Sequence, residues 1–112
     1  MKDNLLFPNS IAVVGVSKEK NKIGSVIYHN AIDGGYKGKV YPVNPKYKDI
    51  EGKTCYPDLL SIGGHIDMVC IVIPSQFIEG IVDDCIQKKV NSVIIISAGF
   101  KETGQEIGRA HV

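Results

Sequence analysis

This chain has no tryptophan, three cysteines, and a formal charge of only +1 spread over 112 residues. Each shortage excludes something. An odd cysteine count, with Cys55, Cys70 and Cys85 far apart and no C-x-x-C or Cys/His cluster, argues against a disulfide framework and a zinc site. Near-neutral charge gives no electrostatic case for nucleic acid or an anionic membrane surface. No apolar run approaches membrane-spanning length, and Leu5-Leu6-Phe7 is too short for a signal peptide before Pro8 interrupts it, so a cytoplasmic protein is expected. Internal repeats and low-complexity stretches are also missing.

What remains is the composition of one ordinary globular domain, 44% hydrophobic and 22% charged. The chain is organised around Ile11–Ser25, IAVVGVSKEKNKIGS. The apolar run Ile11–Val16 predicts a strand covered on both faces. Gly15 breaks it, Ser17–Lys22 forms a polar loop carrying Lys18, Lys20 and Lys22, and Gly24-Ser25 opens a helix. A strand, a glycine turn and a helix N-terminus aim backbone N–H groups and a positive dipole end at one point, where phosphate binds well.

Later segments repeat the alternation. A helix over 24–33 ends at Gly34-Gly35, with Val26, Ile27, Ala31 and Ile32 as its buried face, and His29 within it reads as a structural histidine. Lys39–Pro45 reads as the second strand, closed by a rigid Asn44-Pro45 turn. A loop from Lys46 to Lys53, a short strand at Thr54–Tyr56 and a short helix from Pro57-Asp58 to Ile62 follow. Ile66–Ile73 is the third long strand, stopped by Pro74. Ser75 suits an N-cap for a helix over 76–89, whose stripe is Phe77, Ile78, Ile81, Val82, Cys85 and Ile86. Cys70 and Cys85 fall at apolar positions and read as buried thiols. Val93–Ile96 is a further strand, and a segment from Glu102 begins to look helical.

Strand and helix in alternation, with mostly unbroken apolar strands, specify an α/β fold: a Rossmann-like, doubly wound parallel sheet. The last helix has barely begun at Val112, which reads as a C-terminally truncated sheet, a domain cut from a longer protein. In such sheets ligands bind beyond the carboxyl ends of the strands, where the winding reverses. The loops expected there are Ser17–Ser25, Val43–Lys46, Pro74–Phe77 and Ser97–Phe100. A nicotinamide site wants G-x-G-x-x-G and an acid closing the second strand. Here the spacing is Gly15, Ser17, Gly24, and the strand closes on Val43-Asn44-Pro45-Lys46. A lysine in place of a carboxylate favours a phosphorylated ribose, as in NADP or coenzyme A, over NAD.

Phe7–Ser17, Lys22–Gly24, Gly38–Pro45, Ile66-Asp67, Val72–Pro74 and Ser97–Gly104, in that order over nearly the whole chain, resemble a known family. It is the N-terminal CoA-binding domain of NDP-forming acyl-CoA synthetases, of the ADP-forming acetate–CoA ligase type, related to the succinyl-CoA synthetase alpha subunit. The resemblance implies that Ser17, Lys22, Gly24 and Ser25 cradle CoA phosphates, with Gly15 beside them. It implies that Val43, Asn44, Pro45 and Lys46 lie at the adenosine 3′-phosphate end. Ile73 and Pro74 would line the CoA path, with Ser97, Ala98 and Gly99 near the thiol-bearing arm. It implies the interconversion of acid, CoA and ATP with acyl-CoA, ADP and phosphate through a phosphorylated histidine. That histidine, and the ATP and Mg sites, would belong to further domains or a second subunit, and none of His29, His65 or His111 matches it. This chain alone would then bind CoA without catalysing the reaction. A non-catalytic CoA-binding or regulatory module, an acetyltransferase-fused domain, and an NADP-binding Rossmann domain are the alternatives. A homo-oligomer is also open, since an incomplete sheet edge invites pairing.

Overall fold

A computed structural model describes residues 9–34, 36–73, 75–96 and 107–111. Strand β1 (Ser10–Val14) leads through the glycine loop into helix α1 (Ile23–Asp33) and strand β2 (Lys39–Val43). A two-stranded hairpin follows, β3 (Asp49–Ile50) and β4 (Lys53–Thr54), and then a 3-10 turn, Leu59–Ser61. Strand β5 (Met68–Ile71), a second 3-10 turn (Ser75–Phe77), helix α2 (Ile78–Lys88), and strands β6 (Ser92–Ile96) and β7 (Ile107–His111) complete the order.

The main sheet runs β2-β1-β5-β6-β7. β1 pairs parallel with β2 and with β5, and β5 pairs parallel with β6. The chain therefore winds outward from β1 to β2 and then crosses back to β5, which puts the reversal of winding between β1 and β5. This is the Rossmann-like arrangement the alternation implied.

Two cores follow from the period of two along each strand. Ala12 and Val14 of β1, Val69 and Ile71 of β5, and Val93 of β6 face α2, where Cys85 is buried among Ile78, Ile81 and Val82. Ile11 and Val13 face the other way, with Cys70, onto α1, where Tyr28 is buried and Ile27 and Ile32 pack beside it. One helix covers each face, so the strands are apolar on both sides. Burial of the thiols pushes all three cysteines above their ordinary range, Cys85 up to about 12.

At the amino ends of the strands a buried carboxylate knits the sheet together. Asp67, 3% exposed, accepts from the Asn9 amide at 2.6 Å, and its carbonyl accepts from the amides of Asn91 and Ser92. Its own amide donates to Ser10 Oγ at 3.0 Å. One residue thus ties the starts of β1, β5 and β6.

Several elements differ from the sequence expectation. The buried face of α1 centres on Gly24, Ser25 and Tyr28, while Val26 is 44% exposed. Helix α2 begins at Ile78 after a 3-10 turn; its N-cap is Phe77, not Ser75, and no side chain caps it. Phe77 and Ile86 lie exposed beside the apolar stripe. The short helix near Asp58 is a single 3-10 turn, with Asp58 as its N-cap accepting from the Ser61 amide. The Lys46–Lys53 loop holds the β3–β4 hairpin. Its two-residue turn, Glu51 (φ 52°) and Gly52 (φ 81°), takes the doubly left-handed form that matches strand twist. The expected terminal helix gives way, over 107–111, to β7, antiparallel to β6. A strand there pairs what would otherwise be an open sheet edge.

The opposite edge is β2, and it carries Pro42. The Pro42 carbonyl accepts from the Tyr56 amide at 2.9 Å, and the Tyr56 carbonyl accepts from the Asn44 amide at 2.8 Å. Residue 42 therefore faces outward, where a missing N–H leaves no ladder bond broken. This crossing of Tyr56 brings Pro57 to the carboxyl end of β2.

Candidate functional site

Three strand ends converge where the winding reverses. The Gly15 amide donates to the Val43 carbonyl at 2.9 Å, and the Val72 amide donates to the Val14 carbonyl at 2.8 Å. Gly15 has φ +107°, and a Cβ on it would run into the Val72 carbonyl. A Cβ on Gly24 would run into the carbonyl of Gly15. The two glycines let α1 start directly against the end of β1, so its N-terminus opens on the crevice.

The intervening loop is held from inside. Ser25, fully buried, donates its hydroxyl to the Ser17 carbonyl and accepts from the Ser17 amide at 3.1 Å. The Ser17 hydroxyl accepts from the Glu19 amide at 3.0 Å. Asn44 bridges to the neighbouring loop, donating its side-chain amide to the Val16 carbonyl at 2.8 Å and accepting from the Lys46 amide at 2.9 Å. Ser25 and Asn44 thus use their polar groups within the protein and shape the site.

The start of α1 has neither a side-chain cap nor an acid in its first turn. The positive end of the helix is left uncompensated, the state that suits an incoming anion. α2 is different, with Glu79 in its first turn.

Beside the α1 terminus is a polar cleft of about 460 Å³, lined by Ser17, Lys22, Gly24, Lys46 and Tyr47 among others. Tyr47 is a residue that sequence reasoning missed. Lys18 Nζ lies 5.5 Å and Lys46 Nζ 5.7 Å from its ring centroid, within cation–π range. Its hydroxyl is 3.4 Å from Ser17 Oγ. That hydroxyl contact, with the Lys46 ammonium nearby, lowers the phenol below its ordinary value. The ring collects two ammonium groups from different loops. A lone tyrosine after Asn-Pro-Lys carries no pattern that announces this role.

A second cleft, about 540 Å³, adjoins the first at Gly15 and Asn44. Its walls are largely apolar: Val14, Val43, Pro45, Pro57, Ile73, Phe77 and Ile81, with Gly80 and Asp84 on the α2 side. Another recess, about 530 Å³, runs along the outer edge of β2 past Tyr41 and Tyr56.

Of the expected site residues, Gly15, Ser17, Lys22, Gly24, Val43, Asn44, Pro45, Lys46 and Ile73 line these two joined clefts, and Ser25 lies beneath them. Pro74, Ser97, Ala98 and Gly99 lie outside the described residues. His29 does not line the clefts; its ring pairs with the Ser25 carbonyl through Nδ1 and with Glu51 through Nε2. Among the described residues no group of three or more His, Cys, Asp or Glu could hold a metal ion, and no helix is long and apolar enough to cross a membrane.

A doubly wound sheet with an open helix N-terminus, clustered lysines and an adjoining apolar cleft defines a Rossmann-like nucleotide-binding domain. Its β2 is followed by asparagine, proline and lysine, without the carboxylate of a nicotinamide site.

Comparison with known proteins narrows this: the chain belongs to the CoA-binding domain family, whose model matches residues 9–111. It is 44% identical over 106 residues to the alpha subunit of ADP-forming acetate–CoA ligase I from Pyrococcus furiosus, covering 91% of this chain and 23% of that one. It is 40% identical over 104 residues to ADP-forming acetate–CoA ligase I from Archaeoglobus fulgidus, covering 93% of this chain and 15% of the ligase. The apo dinucleotide-forming acetyl-coenzyme A synthetase 1 of Candidatus Korarchaeum cryptofilum superposes with a TM-score of 0.82 at 42% identity, over 90% of this chain and 22% of that one. The chain thus spans less than a quarter of the length of these relatives.

Proposed function

We propose that this chain is the CoA-binding portion of an ADP-forming acyl-CoA synthetase and holds CoA across the two joined clefts. The observation that carries the reading is an uncapped, acid-free α1 N-terminus beside an apolar cleft, in a member of the CoA-binding domain family. The N–H groups at the start of α1, with Lys18, Lys22 and Lys46, would take phosphates. Val43, Pro45 and Ile73 would pack on adenine or pantetheine. CoA supplies a thiol that accepts the acyl group; this chain's residues bind and orient it. The phosphorylated histidine and the ATP and Mg sites would lie in further domains or a second subunit, so this portion alone turns nothing over.

The site assignment is tested by charge reversal at Lys46. The Lys46→Glu variant should weaken CoA by about tenfold at low salt, the scale of one exposed ammonium–phosphate contact replaced by repulsion. The loss should shrink toward twofold for CoA lacking its 3′-phosphate. Equal losses for both would place Lys46 away from that phosphate, and no loss for either would remove the loop from the site.

A further inference from the structure

One charged group in the apolar cleft has no task in this account. Asp84 lines the α2 wall, half-buried, and among the described residues its carboxylate has no hydrogen-bond donor. Burial, with Asp58 and Asp83 nearby, raises its pKa. The carboxylate is open to the cleft and keeps an unused acceptor there, so it can exchange water for an N–H that a ligand brings.

The spacing says what kind of ligand. Phe77, Gly80, Ile81 and Asp84 stand three, four and seven residues apart, so they share one face of α2, the face turned to the cleft. Phe77, 57% exposed, presents an aromatic ring at one end. Asp84 presents an acceptor about 10 Å away along the axis at 1.5 Å per residue. Between them Gly80 leaves open space, with nothing within 4 Å of where its Cβ would be. An aromatic ring, a clear shelf and a terminal acceptor suit a flat heteroaromatic ring bearing an amino group.

We infer that Asp84 is a specificity-determining residue: its carboxylate accepts a hydrogen bond from the 6-amino group of the CoA adenine, seated over Gly80 beside Phe77. The inference rests on the CoA reading above and assigns adenine, rather than pantetheine, to the α2 wall. Asp84 also faces a polyanion, so deleting its charge alone would tighten binding. The test must therefore compare two ligands of equal charge.

The experiment is calorimetric titration of the full chain with CoA and with an analogue whose purine bears hydrogen in place of the 6-amino group. The native chain should prefer CoA about tenfold, the scale of one hydrogen bond to a charged group. Asp84→Ala should bring that ratio close to one. Asp84→Asn, which keeps an acceptor oxygen and the side-chain shape, should retain most of the preference, and thermal melts confirm that both variants fold. A native ratio near one, or a ratio unchanged in Asp84→Ala, overturns the inference while leaving CoA binding in place. Equal weakening of both ligands in Asp84→Ala also overturns it, since the acceptor would then serve the pantetheine amides. No binding of CoA by the native chain overturns both this inference and the reading beneath it.

Discussion

Gly24→Ala isolates the close approach on which the phosphate-binding corner depends. Gly24 lies in α1 with no left-handed φ, so any effect of the new methyl is one of space alone. That methyl would meet the carbonyl oxygen and carbon of Gly15 and press on the Val16 amide. All three are backbone atoms of the strand-to-loop corner, so no side chain can turn aside. Overpacking of this kind costs about 1–3 kcal/mol, and the helix propensity gained from glycine to alanine returns about 1 kcal/mol. A contact this close, with backbone on the far side, falls at the upper end of that range. The net loss is then roughly 2 kcal/mol and lowers the melting temperature by about 10 °C in a domain of this size. Gly80→Ala is the comparator: its methyl enters open space within α2, so propensity alone acts and the melt should rise by a few degrees. Calorimetry or circular dichroism melts of the three proteins give the signs. CoA titration of Gly24→Ala well below its melting temperature should also show weakening, because α1 must back away from Gly15. A Gly24→Ala protein that melts and binds like the native chain would refute the account of how α1 is aimed.

Two further predictions concern stability. Tyr28 is 1% exposed, and its hydroxyl is buried with no hydrogen-bond partner among the described residues, so Tyr28→Phe removes an unsatisfied group and keeps the ring. Thermal melts should show no loss and a gain up to about 1 kcal/mol; a clear loss would mean the hydroxyl is bonded in solution. The second concerns pH. His29 Nδ1 lies 2.8 Å from the Ser25 carbonyl and Nε2 2.9 Å from the Glu51 carboxylate, and the protonated ring donates to both. The Glu51 contact first, then the Ser25 carbonyl, raises the His29 pKa above 6.5, while the His29 contact lowers that of Glu51 below 4.5. Asp33 adds to the first shift and Lys20 to the second. A raised histidine stabilises fully below 6.5 and loses that contribution as pH rises through its folded value; a depressed carboxylate loses its own as pH falls through its folded value. The melting gap between native protein and His29→Ala should therefore be wide near pH 5.5 and narrow by pH 8.5. A gap that stays constant or widens would contradict the pairing.

Much of this architecture is legible in the chain because it depends on repeating patterns. Ile11–Val14, Met68–Ile71 and Val93–Ile96 are apolar at every or nearly every position, and only a sheet covered on both faces buries them all. The glycine-bearing loop between β1 and α1 follows from Gly15 and Gly24, and the joined clefts are lined by Ser17, Lys22, Val43, Pro45 and Lys46 among the residues expected there. The parts that escaped depend on contacts distant in sequence or on very short elements. β3 and β4 hold two residues each, below any detectable period, and rest on the Glu51-Gly52 turn. Val26 has the hydrophobicity of a core residue, but the close approach at Gly24 rotates α1 so that Tyr28 points inward instead. Ser25 reads as a phosphate ligand by position, and only the folded loop reveals that Ser17 already occupies its hydroxyl. Tyr47 gains its place from Lys18 on another loop, which no linear pattern encodes.

The central claim is tested most directly by titrating the purified chain with CoA, with NADP and NAD run under the same conditions. The expected result is one-to-one binding of CoA, tighter than NADP and far tighter than NAD, because the loop after β2 carries Lys46 rather than a carboxylate. Saturation by a nicotinamide nucleotide without binding of CoA would contradict it.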